Sequence, residues 1–531
     1  MESASLETAP TKSKSDIWLT AHAASGAVRM LVQLASMMIL LPIIIQHTSE
    51  EKYGIWTLAM AIAGILAFLE LGLVQATNRF LSPLDHTREP EAFRDMACTS
   101  FWLTVLSGLF VLVIGIPFAQ EIAELLGIPT ELQGEAGVVV SLFIWRLAIS
   151  VPLRNFNAVL ISQRLMIRAH ITQSVVSIAY LGASWGVLVL GGGLIELSLV
   201  YLAAMVLENL IYLLLARPVI PLSAYSPKRF KAKLVPNILE FSVFALLGQI
   251  VNVVFLRAGV LLVQVTSGLV ATGAYGIAMR LTSISAELAS QVTFAGGPKL
   301  SKLAFHSEEG RREAGWLALS MSRRAILLSG PLAAIAIPLG GIFLKGWIGG
   351  EMAPMAAMPL IFSSLDVAIG APVMTAMNAL ALTGEHRWSN LVSIVMIILY
   401  LPAAYVAGIQ AGPTGVAAAS LAITIFVSVP LFLPRLSKHL GIHLFFWWSE
   451  VYKNHLIPFF FCLASSFGFA LLIETNIPEG RIWLFASAVA GLIAGIVYFV
   501  IYGAWTAPAE ERERIAHFVK KLGSRMKPGK A

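Results

Sequence analysis

Eleven charged residues lie inside the otherwise apolar stretches of this 531-residue sequence. Six are arginines: Arg29, Arg79, Arg146, Arg154, Arg257 and Arg280. Five are carboxylates: Glu70, Glu208, Glu240, Glu287 and Asp366. No lysine shares these stretches. A charge at bilayer depth costs at least ~2.5–3.5 kcal/mol, so such groups face a bundle interior or a wet cavity. Arginine is permanently charged and grips phosphate or carboxylate with a planar fork. The chemistry that this set implies is the binding of an anion inside a hydrated cavity.

Helical spacing sorts these residues. His22, Gly26, Arg29, Gln33 and Ser36 follow at steps of three or four, as one polar stripe on the first apolar segment. Arg280, Ser283, Glu287 and Gln291 form a second stripe. Arg146, Ser150, Arg154 and Asn157 share a face, and so do Tyr201, Met205, Glu208 and Tyr212. Glu240, Gln249, Asn252 and Arg257 do not. Arg280 and Glu287 stand two turns apart, ~10 Å by helical rise, too far to pair directly. Arg79 and Glu240 sit near predicted helix ends, where snorkelling accounts for them equally well. Glu208 and Asp366 are as compatible with hydrogen bonds between helices as with a functional role, and His22 with packing.

The elements that must position these groups are membrane helices. The chain is 57% hydrophobic and 13% charged, with mean hydropathy +0.79, where soluble domains carry about 25% charged residues. Spans of about 20 apolar residues are predicted at 17–46, 53–81, 96–119, 136–162, 169–190, 195–216, 237–263, 273–297, 325–344, 357–382, 389–409, 414–434, 456–474 and 482–503. The fold class is therefore all-α polytopic, with fourteen helices expected. With both termini placed inside, inner segments hold 28 Lys and Arg and outer loops hold 3, namely Lys52, Lys345 and Arg481. That asymmetry orients the chain with cytoplasmic termini. The net charge of +7 is thus a topology signal, and no nucleic-acid partner is expected. Cys98 and Cys462 lie far apart and suggest neither a disulfide framework nor a metal site. The polar first 16 residues do not look like a cleaved signal peptide. The tail 504–531 mixes Glu510, Glu511 and Glu513 with Arg512, Arg514, Lys520 and Lys521, and reads as a solvated tail. A GxxxxGK[ST] loop is absent, and Gly191-Gly192-Gly193 is best explained as a tight turn. Neither ATP use nor catalysis on a soluble substrate is expected.

An internal echo adds organisation. Tyr53-Gly54-Ile55-Trp56 opens the second helix and Tyr275-Gly276-Ile277-Ala278 the eighth, six helices later. This suggests two parallel six-helix halves, a common transporter plan. The run Glu51 to Trp56, continuing through Leu69-Glu70-Leu71-Gly72-Leu73 and Asn78-Arg79-Phe80, resembles the opening signature of the Wzx-like oligosaccharide-lipid flippases. These form the polysaccharide-transporter branch of the MOP superfamily, which also contains the MATE exporters. Gly273 to Leu281, with Pro298-Lys299-Leu300-Ser301 closing the helix, resembles the family's eighth helix.

The resemblance implies a two-bundle fold around a central cavity, lined largely by helices 1, 2, 7 and 8. Its domains would be a tail 1–16, a bundle 17–217, a basic linker 218–236, a bundle 237–434, an extra helix pair 456–503 and a tail 504–531. It implies that the protein flips a polyprenyl-pyrophosphate-linked oligosaccharide across a bacterial inner membrane for surface or exopolysaccharide synthesis. Arg29, Arg280, Arg257, Arg146, Arg154, Gln33 and Gln291 would line the substrate cavity. Glu70, Glu287, Asp366 and Glu208 would pair with charges or couple transport to H⁺, Na⁺ or membrane potential, without a cofactor. Membrane lipids, a polysaccharide polymerase and chain-length proteins are the expected partners. The alternatives are a MATE-like exporter of small amphipathic molecules, against which six intramembrane arginines speak, and a non-transporting scaffold of a polysaccharide assembly complex.

Overall fold

A computed structural model describes residues 14–70, 72–163, 165–304, 307–509 and 511–513. Both ends of the chain, 1–13 and 514–531, lie outside the described residues. So do the side chains of His22, Gln249, Asn252, Pro298 and Ser301. Among the described residues the structure is helical and contains no strand. The helices are α1 (Lys14–His47), α2 (Glu50–Leu66), α3 (Leu73–Leu81), α4 (Pro90–Gly115), α5 (Ala119–Leu125), α6 (Thr130–Ser162), α7 (Met166–Val189) and α8 (Leu194–Ala216). They continue as α9 (Val235–Ala304), α10 (Glu308–Trp347), α11 (Met352–Leu380), α12 (His386–Ile423), α13 (Val429–Leu440), α14 (Leu444–Trp448), α15 (Asn454–Asn476) and α16 (Ile482–Ile501).

Eleven helices among the described residues are long and apolar enough to cross a membrane. The protein is a multi-pass membrane protein. This count differs from the expected fourteen at three breaks in the helices. The segment 53–81 is not one helix: α2 tightens into a 3₁₀ turn at Ala67–Glu70, and α3 begins after Gly72 at φ 66°. That left-handed backbone is one that glycine adopts without a Cβ clash. Helix α9 runs through the predicted gap 264–272 and breaks only at Gly268 (φ 82°). Helix α12 breaks at Ala411 and Gly412 (φ 59°).

Two compact units result. One comprises the residues up to Ser49 together with Ile62–Ile250; the other comprises Glu50–Ala61 together with the chain from Val251. The chain therefore passes between units inside helix α2.

In the first unit α1 packs on α7, α7 on α8, α8 on α6 and α6 on α4. The basic segment after α8 is strapped to α4. Trp102 Nε1 donates to the Tyr225 carbonyl (3.0 Å), Cys98 Sγ to the Ser226 carbonyl (3.3 Å), and the Lys231 amide to Thr99 Oγ1 (3.1 Å). Arg229 bridges Glu91 (2.6 Å) and Asp95 (3.5 Å).

In the second unit α10 packs on α11, α11 on α12, and α15 with α16 on α10. Here the echoed motifs meet each other. A Cβ on Gly54 would strike the Leu269 carbonyl, and one on Gly276 would strike the Thr57 side chain. Small residues let membrane helices touch backbone to backbone. The two Tyr-Gly pairs are thus explained by one close helix crossing inside this unit. Arg323 (α10), with a side chain 12% exposed, docks the extra helices: it donates to Glu450 and to Glu511, each at 3.1 Å. Tyr502 donates to the second oxygen of Glu511 (2.8 Å).

Candidate functional site

The first unit gathers a polar cluster between α1, α7 and α8. Arg29 Nη1 donates to Gln33 Oε1 at 3.0 Å, one turn along α1. Tyr212 of α8 donates to Glu208 Oε1 at 2.7 Å. Gln173 of α7 hydrogen-bonds to the same Tyr212 hydroxyl, and the Arg29 guanidinium lies within Coulomb range of it. Ser25 Oγ and His170 Nδ1 meet at 2.9 Å on the same pair of helices, α1 and α7. Four elements of this cluster, Arg29, Gln33, Glu208 and Tyr212, fall on faces that spacing identifies. His170 and Gln173 were not foreseen. Their spacing of three residues near the start of the span 169–190 was the available signal, but no charge drew notice to it.

Arg146 and Arg154 share a face of α6 but not a role in the packing. Arg146 lies over the Tyr201 ring, 3.9 Å from its centroid. Tyr180 and Phe143 pack against the same ring at 5.5 and 5.4 Å. Arg154 Nη1 donates to both oxygens of Glu70 at 3.0 Å. That pair clamps the 3₁₀ turn where helix α2 breaks. The Glu70 side chain is 11% exposed, the Arg154 side chain 45%. Arg29 and Arg146 have no ion-pair partner among the described residues, and the buried Nε of each lacks an acceptor. Tyr201 and Tyr212 stand eleven residues apart on α8, ~16 Å by helical rise. The two unpaired guanidinium groups therefore mark two levels along one helix.

Arg79 stacks on Phe241 with its guanidinium 4.5 Å from the ring centroid. The remaining predicted residues lie in the second unit. Arg280, Glu287 and Gln291 are exposed along α9, and Arg280 lies within Coulomb range of the Tyr53 hydroxyl. Arg257 is half-buried on the same helix. Asp366 of α11 takes hydroxyl hydrogen bonds on both oxygens, from Ser420 and Thr424, each at 2.5 Å. It has no cationic partner among the described residues. Tyr275 and Tyr400 hydrogen-bond to each other within Coulomb range of Asp366. Gly259 leaves room for them, because a Cβ there would lie 2.6 and 2.9 Å from the two hydroxyl oxygens. No group of His, Cys, Asp and Glu of metal-binding size occurs among the described residues.

Comparison with known proteins gives this geometry a frame. Residues 27–185 match the MatE family model. No curated protein sequence matches the chain. Among solved structures, the fold is similar to the lipid II flippase MurJ in an inward closed conformation, with TM-score 0.66 and 13% identity over 91% of this chain and 98% of that one. It is also similar to an inward-facing multidrug resistance MATE transporter of the MOP superfamily, with TM-score 0.62 and 15% identity over 78% and 99% of the two chains. A third similar structure is a Pyrococcus furiosus MOP superfamily transporter described by the reverse polarity of its binding pocket, with TM-score 0.54 and 14% identity over 81% and 99%. The chain shares the fold of these three proteins.

Proposed function

We propose that this protein is a flippase for a polyprenyl-pyrophosphate-linked oligosaccharide, moved from the cytoplasmic to the outer leaflet of a bacterial inner membrane for surface or exopolysaccharide synthesis. The observation that carries this reading is the pair of unpaired guanidinium groups, Arg29 and Arg146, inside one helical unit. An intramembrane guanidinium that forms no salt bridge among the described residues can take an anion from elsewhere. Arg29 faces the Gln33 amide and the Tyr212 hydroxyl, whose proton is given to Glu208, and its free donors suit a pyrophosphate. Arg146 sits beside aromatic rings, a setting that suits a sugar. Arg280, on the polar stripe of α9 with Arg257 and Gln291 on the same helix, is a further guanidinium of the proposal. Arg154 is held by Glu70 and belongs to the frame until a competing anion displaces that carboxylate. The proposal has both termini in the cytoplasm, with a polymerase and chain-length proteins as the partners that the pathway would supply.

The test is flipping of a fluorescent polyprenyl-linked glycolipid in proteoliposomes. Loss of the Arg29 contact removes a charge-assisted hydrogen bond to phosphate, worth ~1.5–3 kcal/mol. Arg29→Ala and Arg280→Ala should each slow flipping by about ten- to a hundred-fold at equal protein incorporation. Wild-type rates in both variants remove the proposal.

A second reading is an ion-coupled exporter of small amphipathic molecules. The observation in its favour is Asp366, a carboxylate held by hydroxyl groups and no cation among the described residues. In that reading a proton or Na⁺ gradient drives uptake of a cationic dye, Asp366→Asn abolishes it, and the arginine variants leave it unchanged.

A further inference from the structure

Helices α14 and α15 belong to one helical segment, Leu444–Asn476, of 33 residues. Its length is ~50 Å by helical rise, against a hydrocarbon layer of ~30 Å. Helix α10, with 40 residues, overshoots further. Their far ends lie together: Lys345, in the last turn of α10, pairs with Glu479 (3.4 Å) and lies over the Trp483 ring. Counted from that end, the first turns of both helices project past the hydrocarbon on the opposite face. Those turns are nonetheless aromatic and open. Phe445 is 70% exposed, Trp316 57%, Trp448 47% and Phe446 39%. The Trp316 and Phe446 rings meet edge-on at 5.5 Å, which joins the two helices into one patch. Trp447 turns inward, 2% exposed, and anchors it. Contiguous apolar surface of this kind outside the hydrocarbon marks an interaction site.

The charge beside the patch says what covers it. Lys438, His443 and Lys453 are exposed, and neither lysine has an ion-pair partner among the described residues. The one carboxylate in the stretch 435–453, Glu450, is occupied by Arg323 at 3.1 Å. Arg435 is in turn occupied by Glu385 at 2.9 Å. Exposed rings beside uncompensated ammonium groups fit the headgroup layer of an anionic membrane, with the rings at the glycerol level and the lysines at the phosphates. We propose that Trp316, Phe445, Phe446 and Trp448, with Lys438 and Lys453, form a docking site for anionic phospholipid headgroups. It beds the start of the extra helix pair in the membrane surface. This site is separate from the cargo site and does not depend on what is transported.

The test uses the full-length protein in nanodiscs of phosphatidylcholine, alone or mixed with phosphatidylglycerol. Lipids retained after transfer to detergent are counted by native mass spectrometry. The wild type should retain phosphatidylglycerol preferentially. Lys438→Gln with Lys453→Gln should reduce that preference by about five-fold per lysine, while Lys→Arg at both positions keeps it and so separates charge loss from misfolding. Phe445→Ser with Trp448→Ser should lower retention of both lipids. Equal retention of the two lipids by the wild type, or an unchanged preference in the Gln variant, overturns the proposal and leaves the patch to a protein partner.

Discussion

Arg154→Gln should destabilise the first unit clearly, Arg146→Gln less, and Arg29→Gln hardly at all. The magnitude follows from what each substitution leaves behind. Removing Arg154 strands the Glu70 carboxylate, whose side chain is 11% exposed, at the break of helix α2. Stranding one partner of a fully buried pair costs ~3–5 kcal/mol. Here the arginine side chain is 45% exposed, so solvent screens part of the interaction. The expected loss is about half the full figure, ~1.5–2.5 kcal/mol. Adding Glu70→Gln removes the stranded charge and should return stability to within ~0.5 kcal/mol of wild type, which gives a coupling energy of at least ~1 kcal/mol. Arg29→Gln leaves no carboxylate stranded among the described residues and should change stability by less than ~0.5 kcal/mol. Arg146→Gln loses only the stacking on Tyr201, ~0.5–1 kcal/mol. The assay is thermal unfolding in one detergent at a fixed scan rate, since the midpoint of an irreversible transition depends on that rate. At ~2–4 °C per kcal/mol, Arg154→Gln should lower the midpoint by about 3–10 °C. The reasoning fails if Arg29→Gln is as damaging as Arg154→Gln, or if the double variant is no better than Arg154→Gln alone.

Three further outcomes are expected. Gly54→Ala should cost ~1–3 kcal/mol through overpacking, because its Cβ would strike the Leu269 carbonyl. Gly182→Ala, with nothing within 4 Å, should gain ~0.5–1 kcal/mol from helix entropy. Thermal midpoints of equal size and sign would contradict both. In the strap after α8, the Arg229 hydrogen bond holds the Glu91 carboxyl below its ordinary 4.5. A depressed carboxylate stabilises the fold above its unfolded value, and the effect is lost as pH falls through the lower folded value. Amide exchange at Lys231, corrected for its intrinsic pH dependence, should therefore stay slow near neutrality and quicken below the ordinary carboxylate value. Arg229→Gln should abolish that step.

Most of the helices were legible because each needs its own run of apolar residues. The breaks were not, since Gly72, Gly268 and Gly412 are three of 42 glycines, and composition does not mark which of them turns left-handed. The polar stripes of α1 and α8 were legible from spacing, and they do meet through Arg29 and Tyr212. Spacing also put Arg146 and Arg154 on one face, but it could not say that one finds a ring and the other a carboxylate. Their neighbours come from α8 and from the α2 break, and such contacts are set by packing between helices. Arg323 escaped notice because it falls two residues outside the predicted span 325–344. The Tyr-Gly echo pointed to two halves. The structure adds that the first copy packs within the second unit, which no local pattern encodes.

That last arrangement has a consequence for how the protein is made. Residues Glu50–Ala61 leave the ribosome about 215 residues ahead of Leu269, against which Gly54 packs. At ~5–20 residues per second, the wait is about 10–40 s. For that interval Glu50–Ala61, the first twelve residues of helix α2, lack the partner against which Gly54 packs. The second unit closes only when a segment made early is still in place to receive one made late. A chain begun at Val251 would lack one of its own helices, and supplying a peptide spanning Glu50–Ala61 would be needed to complete it.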